Sequence, residues 1–280
     1  MKIITAQKIG FCFGVRRSID MAKESLDREK ERPVFLLGNI VHNEEVIQHI
    51  EDHGGKFISS LEEAEPNSLV ITKAHGVSQT TLQQAQEKGI EIQDTTCPIV
   101  QTAQKRAQSL KDEGYKVIII GEKDHPEPQV IQEYAGKNSL ITEEEGDLKN
   151  MDKANTAIGV VAQTTKKRDK VEKLIQVLQE EGQKVKWEDT ICNEVSDRQK
   201  ELKQILKQTQ GVIVIGSRTS ANTTRLAEIV KDSGQKLWWI NSVPELPAEE
   251  IKTYETIGVV SGTSAPDWEV QKIIDFLKEL

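Results

Sequence analysis

Three cysteines are the residues of this sequence with the clearest capacity for metal chemistry. Cys12, Cys97 and Cys192 are the only cysteines in the 280 residues, and intervals of 85 and 95 residues separate them. An odd cysteine count without an apolar leader segment argues against a disulfide framework. Structural zinc sites usually use closely spaced cysteine pairs, so the wide spacing indicates one ligand from each of three separate segments. Three unrelated buried thiols are the plain alternative.

A threefold repeat surrounds these cysteines. Each follows an extended segment and precedes a helix with apolar residues at three- to four-residue spacing. The helix leads to an aliphatic strand that ends in glycine 24 to 26 residues after the cysteine, at positions 34–38, 117–121 and 212–216. A further strand then ends in a loop of small polar residues, at positions 69–76, 157–165 and 257–264.

The repeat predicts an α/β fold built from three pseudo-threefold-related units with parallel sheets. Continuous aliphatic strands that alternate with helices are typical of parallel sheets covered on both faces. We place the units at 12–96, 97–191 and 192–280, and we expect the N-terminal strand within 1–11 to complete the third sheet. One doubly wound sheet with accidental spacing is the alternative.

Polar side chains gather at the same strand ends as the cysteines. Ligands of α/β sheets bind beyond the carboxyl ends of the strands, so three units meeting there would enclose one cavity. The side chains expected in that cavity, besides the cysteines, are His42, His75, His125, Glu127, Thr164, Ser220, Asn222 and Ser264.

The chemistry of the cavity depends on what balances three thiolates. A metal centre supplies the positive charge. One cysteine per unit suits a cuboidal iron–sulfur cluster with three irons bound to the protein and one open to substrate, although iron–sulfur clusters usually take four cysteines. A zinc ion with three cysteines and a histidine is the competing assignment.

Two further features of the cavity indicate acid chemistry and anion binding. Glu127 lies between Pro126 and Pro128, and a half-buried carboxyl there could act as an acid; a solvated turn residue is the alternative. The loop at 217–223, before a helix predicted at 224–231, and the loop at 262–264 offer hydroxyl and amide donors for a phosphate or diphosphate. Ordinary helix capping would also explain these loops, and solvent exposure would explain the histidines.

Composition excludes two classes of partner. The net charge of −8 and the lack of a basic stripe argue against nucleic-acid binding. The longest aliphatic runs are far too short to span a bilayer, so we expect no membrane segment and a cytoplasmic protein.

The motifs together resemble the 4-hydroxy-3-methylbut-2-enyl diphosphate reductase family, the last step of the non-mevalonate isoprenoid route. The resemblance covers nearly the whole chain. It rests on motifs in the family's order: Gly10-Phe11-Cys12-Phe13-Gly14-Val15, Val41-His42-Asn43, Ala74-His75-Gly76, Asp94-Thr95-Thr96-Cys97-Pro98, His125-Pro126-Glu127, Gln163-Thr164-Thr165, Ile191-Cys192, Ser220-Ala221-Asn222 and Gly262-Thr263-Ser264-Ala265-Pro266-Asp267.

The resemblance implies a trefoil around one 4Fe-4S cluster held by the three cysteines. It implies that reduced ferredoxin or flavodoxin supplies electrons, and that the products are isopentenyl and dimethylallyl diphosphate plus water. Glu127 would be the proton donor, and Thr164 would orient Glu127 and the substrate hydroxyl. The residues implied to hold the substrate diphosphate are His42, His75, Ser220, Asn222 and Ser264, with His125 nearby.

One position departs from the family pattern. Ala221 stands where the family usually has a second serine, so one hydroxyl donor is lost, although the N–H of Ala221 could still donate. Two other functions stay open at this point. One is a three-cysteine zinc hydrolase of a phosphorylated metabolite, and the other is a non-catalytic sensor with a labile cluster.

Overall fold

A computed structural model of the chain, which describes residues 1–40, 43–151 and 157–280, contains three four-stranded parallel sheets. Sheet 1 comprises β2 (Val34–Leu37), β3 (Lys56–Ile58), β4 (Leu69–Ile71) and β5 (Glu91–Gln93). Sheet 2 comprises β6 (Lys116–Ile120), β7 (Leu140–Thr142), β8 (Ile158–Ala162) and β9 (Val185–Trp187). Sheet 3 comprises β1 (Lys2–Thr5), β10 (Gly211–Ile215), β11 (Lys236–Ile240) and β12 (Thr256–Ser261).

The three sheets share one strand order. The orders are β3-β2-β4-β5, β7-β6-β8-β9 and β11-β10-β12-β1, so the first strand of the chain takes the place in sheet 3 that β5 and β9 take in theirs. It pairs in parallel with β12, with Lys2 opposite Thr256. Each cysteine therefore follows the equivalent edge strand of a sheet. The α/β fold of three parallel-sheet units is confirmed.

The helices that follow the cysteines begin where the sequence repeat predicts. The helix containing Thr224 to Lys231 begins at Ala221, so Asn222 and Thr223 lie in its first turn and not in a loop. Among the described residues, no helix combines the length and apolar character that crossing a bilayer requires. The helices are α1 (Phe13–Arg28), α2 (Glu44–Asp52), α3 (Gln79–Glu87), α4 (Pro98–Asp112), α5 (Pro126–Ala135), α6 (Glu145–Asn150), α7 (Arg168–Glu180), α8 (Asn193–Leu206), α9 (Ala221–Asp232), α10 (Ala248–Ile251) and α11 (Asp267–Glu279).

Both faces of sheets 2 and 3 are buried, which explains their unbroken aliphatic strands. In sheet 2, Ile118 and Ile120 pack with α6 and α7, whereas Val117 and Ile119 pack with α4 and α5. In sheet 3, alternate residues of β10 pack with α10 and α11 on one face and with α8 and α9 on the other. The alternation follows from the two-residue period of a strand.

The chain packs as two compact groups of residues. One consists of Met1–Lys23, Asn39–Gly54 and Asn193–Leu280, and it contains sheet 3. The other consists of Glu24–Gly38 and Gly55–Cys192, and it contains sheets 1 and 2. The division into domains at 12–96, 97–191 and 192–280 stays a prediction.

The packing of α4 on sheet 2 can be tested by a double-mutant cycle. A Cβ added at Gly159 on β8 would lie 2.9 Å from both terminal methyl carbons of the buried Leu110. Gly159→Ala alone should lower the free energy of unfolding by about 1–3 kcal/mol, as overpacking does. In a Leu110→Ala background the same change should cost less, with a coupling of at least about 0.5 kcal/mol, because the two methyl carbons that make the shortest contacts are gone.

Urea unfolding of the four proteins measures the coupling. Gly146→Ala is the control, because an added Cβ there meets nothing within 4 Å. The change in unfolding free energy caused by Gly146→Ala should add to the change caused by Leu110→Ala. Additivity of Gly159→Ala with Leu110→Ala would contradict the packing described.

Candidate functional site

Each cysteine is anchored by its own backbone N–H to the neighbouring strand of its sheet. The N–H of Cys97 donates to the carbonyl of Ala74 at 3.0 Å, and that of Cys12 to the carbonyl of Thr263 at 3.0 Å. The N–H of Cys192 donates to the carbonyl of Thr164 at 2.7 Å. The acceptors lie just beyond β4, β12 and β8, at equivalent strand ends. All three cysteines are partly exposed.

A threonine two residues before the cysteine reinforces this anchor in sheets 1 and 2. The hydroxyl of Thr95 donates to the carbonyl of Thr72 at 2.6 Å, and the hydroxyl of Thr190 donates to the carbonyl of Ala162 at 2.6 Å. Both threonines are buried. The shared pattern Asp-Thr-x-Cys, at 94–97 and 189–192, signals this role in the sequence, although no role was predicted for these threonines.

The segment around Cys12 has a different support. Asp267, the first residue of α11, accepts the N–H of Phe11 at 2.9 Å and pairs through both oxygens with the guanidinium of Arg16 at 2.8 Å. Gly10 has a φ of +74°, and a Cβ there would lie 2.0 Å from Asp267 Oδ1. Only glycine fits this turn, because the conformation and the carboxylate both exclude a side chain.

The two loops predicted to bind an anion meet at the ends of β10 and β12. The hydroxyls of Ser264 and Ser220 are 3.4 Å apart, and the amide nitrogen of Asn222 donates to Thr263 Oγ1 at 2.8 Å. Ser220 caps α9, and its hydroxyl accepts the N–H of Thr223 at 3.5 Å. Ala221 is the first residue of α9, where helix N–H groups have no acceptor within the helix. Hydroxyls, an amide and a helix start thus converge, which suits an anion.

Glu127 and Thr164 form a buried pair on sheet 2. The Glu127 carboxylate accepts the backbone N–H of Thr164 at 2.6 Å and its hydroxyl at 3.0 Å. Both residues are buried, with 1% of Glu127 and 5% of Thr164 exposed to solvent. Pro126 starts α5 and places Glu127 in its first turn, whereas the sequence predicted a half-buried carboxyl in a proline-stiffened loop.

Burial raises the pKa of Glu127 to about 7. The two hydrogen bonds from Thr164 and the nearby charge of Lys166 act in the opposite direction, but the desolvation of the charged form dominates. Glu127 is therefore available as an acid near neutral pH, which a carboxyl with an ordinary pKa is not.

His125 is held in one tautomer. Its Nδ1 accepts the N–H of Glu127 at 3.1 Å, and burial lowers its pKa, so the neutral ring carries its proton on Nε2. The ring of His75 meets it edge-on at 5.6 Å between centroids. The structure thus brings His75, His125, Glu127 and Thr164 into one region of one compact group. His42 lies outside the described residues.

Comparison with known proteins identifies the family. The family model described as "LytB protein" matches residues 3–278. This chain belongs to the LytB protein family. It is 37% identical to a 4-hydroxy-3-methylbut-2-enyl diphosphate reductase of Geobacter sulfurreducens, over 100% of this chain and 98% of the relative. It is 33% identical to the reductase of the same name from Clostridium perfringens, over 99% of each chain.

Solved structures agree with this LytB assignment. One, titled as (E)-4-hydroxy-3-methyl-but-2-enyl diphosphate reductase, the terminal enzyme of the non-mevalonate pathway, has a TM-score of 0.83 and 32% identity over 100% of both chains. The reductase from Plasmodium falciparum also has a TM-score of 0.83, with 28% identity over 99% of this chain and 88% of that one. The resemblance drawn from the sequence motifs is confirmed.

The donor atoms of this LytB chain fit an iron–sulfur cluster in type. Each cysteine directly precedes a helix, and the backbone of each is fixed by the same hydrogen bond. Over 1–40, 43–151 and 157–280, no three His, Cys, Asp or Glu side chains are grouped as a metal site. The assignment of Cys12, Cys97 and Cys192 as ligands is therefore made below as a proposal.

The raised pKa of Glu127 predicts how stability depends on pH. A carboxyl whose pKa rises from 4.5 to about 7 on folding binds its proton more tightly in the folded state, so unfolding becomes easier as pH rises through that interval. Relative to Glu127→Gln, the wild-type protein should lose about 3 kcal/mol of unfolding free energy between those pH values and no more above them.

Urea unfolding of the metal-free proteins between pH 4 and pH 8 measures this difference. Glu180→Gln, which changes an exposed carboxyl at the end of α7, should follow the wild type at every pH. A constant difference between wild type and Glu127→Gln would contradict the assigned pKa.

Proposed function

We propose that this LytB chain reduces (E)-4-hydroxy-3-methylbut-2-enyl diphosphate to isopentenyl and dimethylallyl diphosphate. The reaction consumes two electrons and two protons, breaks the C–O bond of the allylic alcohol, forms one C–H bond and releases water. The observation that carries the proposal is Glu127, a buried acid with a pKa of about 7 held by Thr164. The reductase names of the full-length relatives support it.

The diphosphate end of the substrate would bind at the loop pair of sheet 3. The hydroxyls of Ser220 and Ser264 lie 3.4 Å apart, and the Asn222 amide donates to Thr263, the residue next to Ser264. The N–H of Ala221 would donate at the start of α9, in place of the serine hydroxyl that the family pattern has. These neutral donors bind an anion without a fixed positive charge, as helix N-termini do.

The histidines would donate hydrogen bonds to the same anion. His125 is suited to this because Glu127 N–H occupies its Nδ1, which leaves an N–H at Nε2 for a ligand. His75 lies beside it. The sequence motif alone assigns His42 to the same anion. A neutral histidine that only donates needs no proton from solvent to bind an anion.

The acid group would serve the hydroxyl end of the substrate. Glu127 holds a proton near neutral pH and can pass it toward the departing hydroxyl. Thr164 fixes both carboxylate oxygens, so the carboxyl cannot rotate away between turnovers. The Thr164 hydroxyl would also orient the substrate hydroxyl.

Cys12, Cys97 and Cys192 would hold one 4Fe-4S cluster. When bound, the cluster supplies the electrons and a Lewis-acidic iron for the substrate hydroxyl. Reduced ferredoxin or flavodoxin would deliver the electrons, and a cytoplasmic location belongs to the same proposal. The role of the chain's own residues is to keep the three thiols at fixed strand ends.

Metal analysis tests the cofactor. Protein purified without oxygen should be brown and contain about four irons and four sulfides per chain, as a 4Fe-4S cluster requires. Cys12→Ser, Cys97→Ser and Cys192→Ser should each lower the iron content. Colourless protein with one tightly held zinc would support a zinc hydrolase instead and would remove the reductase from consideration.

The role of the acid is tested by Glu127→Gln. Turnover of the allylic diphosphate, with a chemical reductant, should fall about a hundredfold, the upper part of the range for a lost acid–base group, while iron content is unchanged. Wild-type activity should fall as pH rises above about 7, because the protonated form of Glu127 is lost. Glu180→Gln should keep full activity. Unchanged turnover in Glu127→Gln would exclude this residue from the reaction.

A further inference from the structure

Arg198 on α8 is a buried cation whose hydrogen bonds all lie within one compact group. Only 4% of its side chain is exposed. Its Nη1 donates to the carbonyl of Ser261 at 3.1 Å, to Ser261 Oγ at 3.1 Å and to the carbonyl of Gly262 at 3.2 Å. Its Nε and Nη2 both lie 3.0 Å from Glu194 Oε1. A buried guanidinium with a carboxylate partner and carbonyl acceptors is fully compensated.

The repeat shows which group Arg198 replaces. In sheets 1 and 2, the threonine two residues before the cysteine donates its hydroxyl to the carbonyl at the end of the neighbouring strand. The equivalent residue before Cys12 is Gly10, which has no side chain and excludes one because of Asp267. The equivalent strand-end carbonyl belongs to Ser261, and Arg198 is its side-chain donor.

The hydroxyl of Ser261 extends the bridge to the cysteine segment. Ser261 Oγ accepts the N–H of Gly10 at 2.7 Å while Arg198 holds it from the other side. Two residues further along each segment, the N–H of Cys12 donates to the carbonyl of Thr263. The next residue is Ser264, whose hydroxyl lies beside that of Ser220. Arg198 therefore supports the loop that touches both the Cys12 backbone and the anion site.

We infer that Arg198 is a positioning residue that holds the 261–264 loop so that the Cys12 segment and Ser264 keep their places relative to each other. Its effect on catalysis rests on the function proposed above, whereas its effect on the loop does not. Arginine is suited to this task because its planar group donates toward the carbonyls and toward Glu194 at the same time. An ammonium on a lysine stem cannot span both sets of acceptors in that geometry.

Amide hydrogen exchange in the metal-free protein tests the loop directly. In Arg198→Met, the amides of Gly10 and Cys12 should exchange about tenfold faster, the equivalent of one lost hydrogen bond. The amides of Cys97 and Cys192 are matched internal controls, because their anchors use threonine and not Arg198. Arg32→Met, which removes an arginine paired with Glu29 and Glu91, is the control variant and should change neither set.

Two exchange results would overturn the inference. Equal acceleration at all three cysteines would mean that Arg198 only contributes general stability. No acceleration at Gly10 and Cys12 would mean that the loop does not need it. If Arg198→Met does not fold, Arg198→Lys replaces it, and it should give an intermediate acceleration confined to the same two amides.

Kinetics of the iron-loaded protein test the consequence for substrate. Arg198→Met should raise KM for the allylic diphosphate about tenfold, with a smaller change in kcat, because Ser264 is displaced while Glu127 is untouched. Arg198→Lys should restore part of the KM. An unchanged KM would overturn the role in substrate binding. The role would also be overturned if Arg32→Met raised KM and lowered thermal stability as much as Arg198→Met does. If the wild-type protein neither binds iron nor turns over the allylic diphosphate, the proposed function is wrong. The exchange experiment would still decide the role of Arg198.

Discussion

The hydrogen bond from each cysteine N–H to the end of the neighbouring strand is the constraint on which the rest of this structure depends. Because the strands of each sheet are parallel, their carboxyl ends lie side by side, and a chain leaving one strand passes the end of the next. Cys12, Cys97 and Cys192 each use that proximity in the same way. The bond holds the backbone at the residue before each following helix, so each thiol is placed by backbone geometry.

The acceptor loops link this anchor to the groups that would contact substrate. The carbonyl of Thr164 accepts the N–H of Cys192, and the N–H and hydroxyl of Thr164 donate to the Glu127 carboxylate. The carbonyl of Thr263 accepts the N–H of Cys12, and the hydroxyl of Thr263 accepts a hydrogen bond from the Asn222 amide. In each loop a single residue therefore joins a cysteine to a side chain of the site. A shift of either loop would move both at once, which is why positioning residues behind the loops matter.

Two buried ionisable groups at the strand ends are accommodated by opposite means. Glu127 accepts two hydrogen bonds from the neutral groups of Thr164, and its burial outweighs these bonds and the charge of Lys166, so its pKa is raised. Arg198 has the carboxylate of Glu194 and three oxygen acceptors, so its charge is compensated. The first arrangement suits the acid role proposed for Glu127, and the second suits the positioning role inferred for Arg198. Charge compensation, and not burial alone, separates the two roles.

Much of the fold and part of the site follow from local properties of the chain. The acid role suggested by the proline-flanked Glu127 stays a prediction. Strand and helix periods and the repeated cysteine junctions are readable over a few residues, so the three parallel-sheet units were predicted correctly. The start of α9 at Ala221 and the role of Arg198 were not. Arg198 interrupts the apolar spacing of α8, but its carbonyl acceptor on Ser261 lies 63 residues further along the chain. Burial and hydrogen-bond partners arise when distant segments pack together, and no local pattern encodes them.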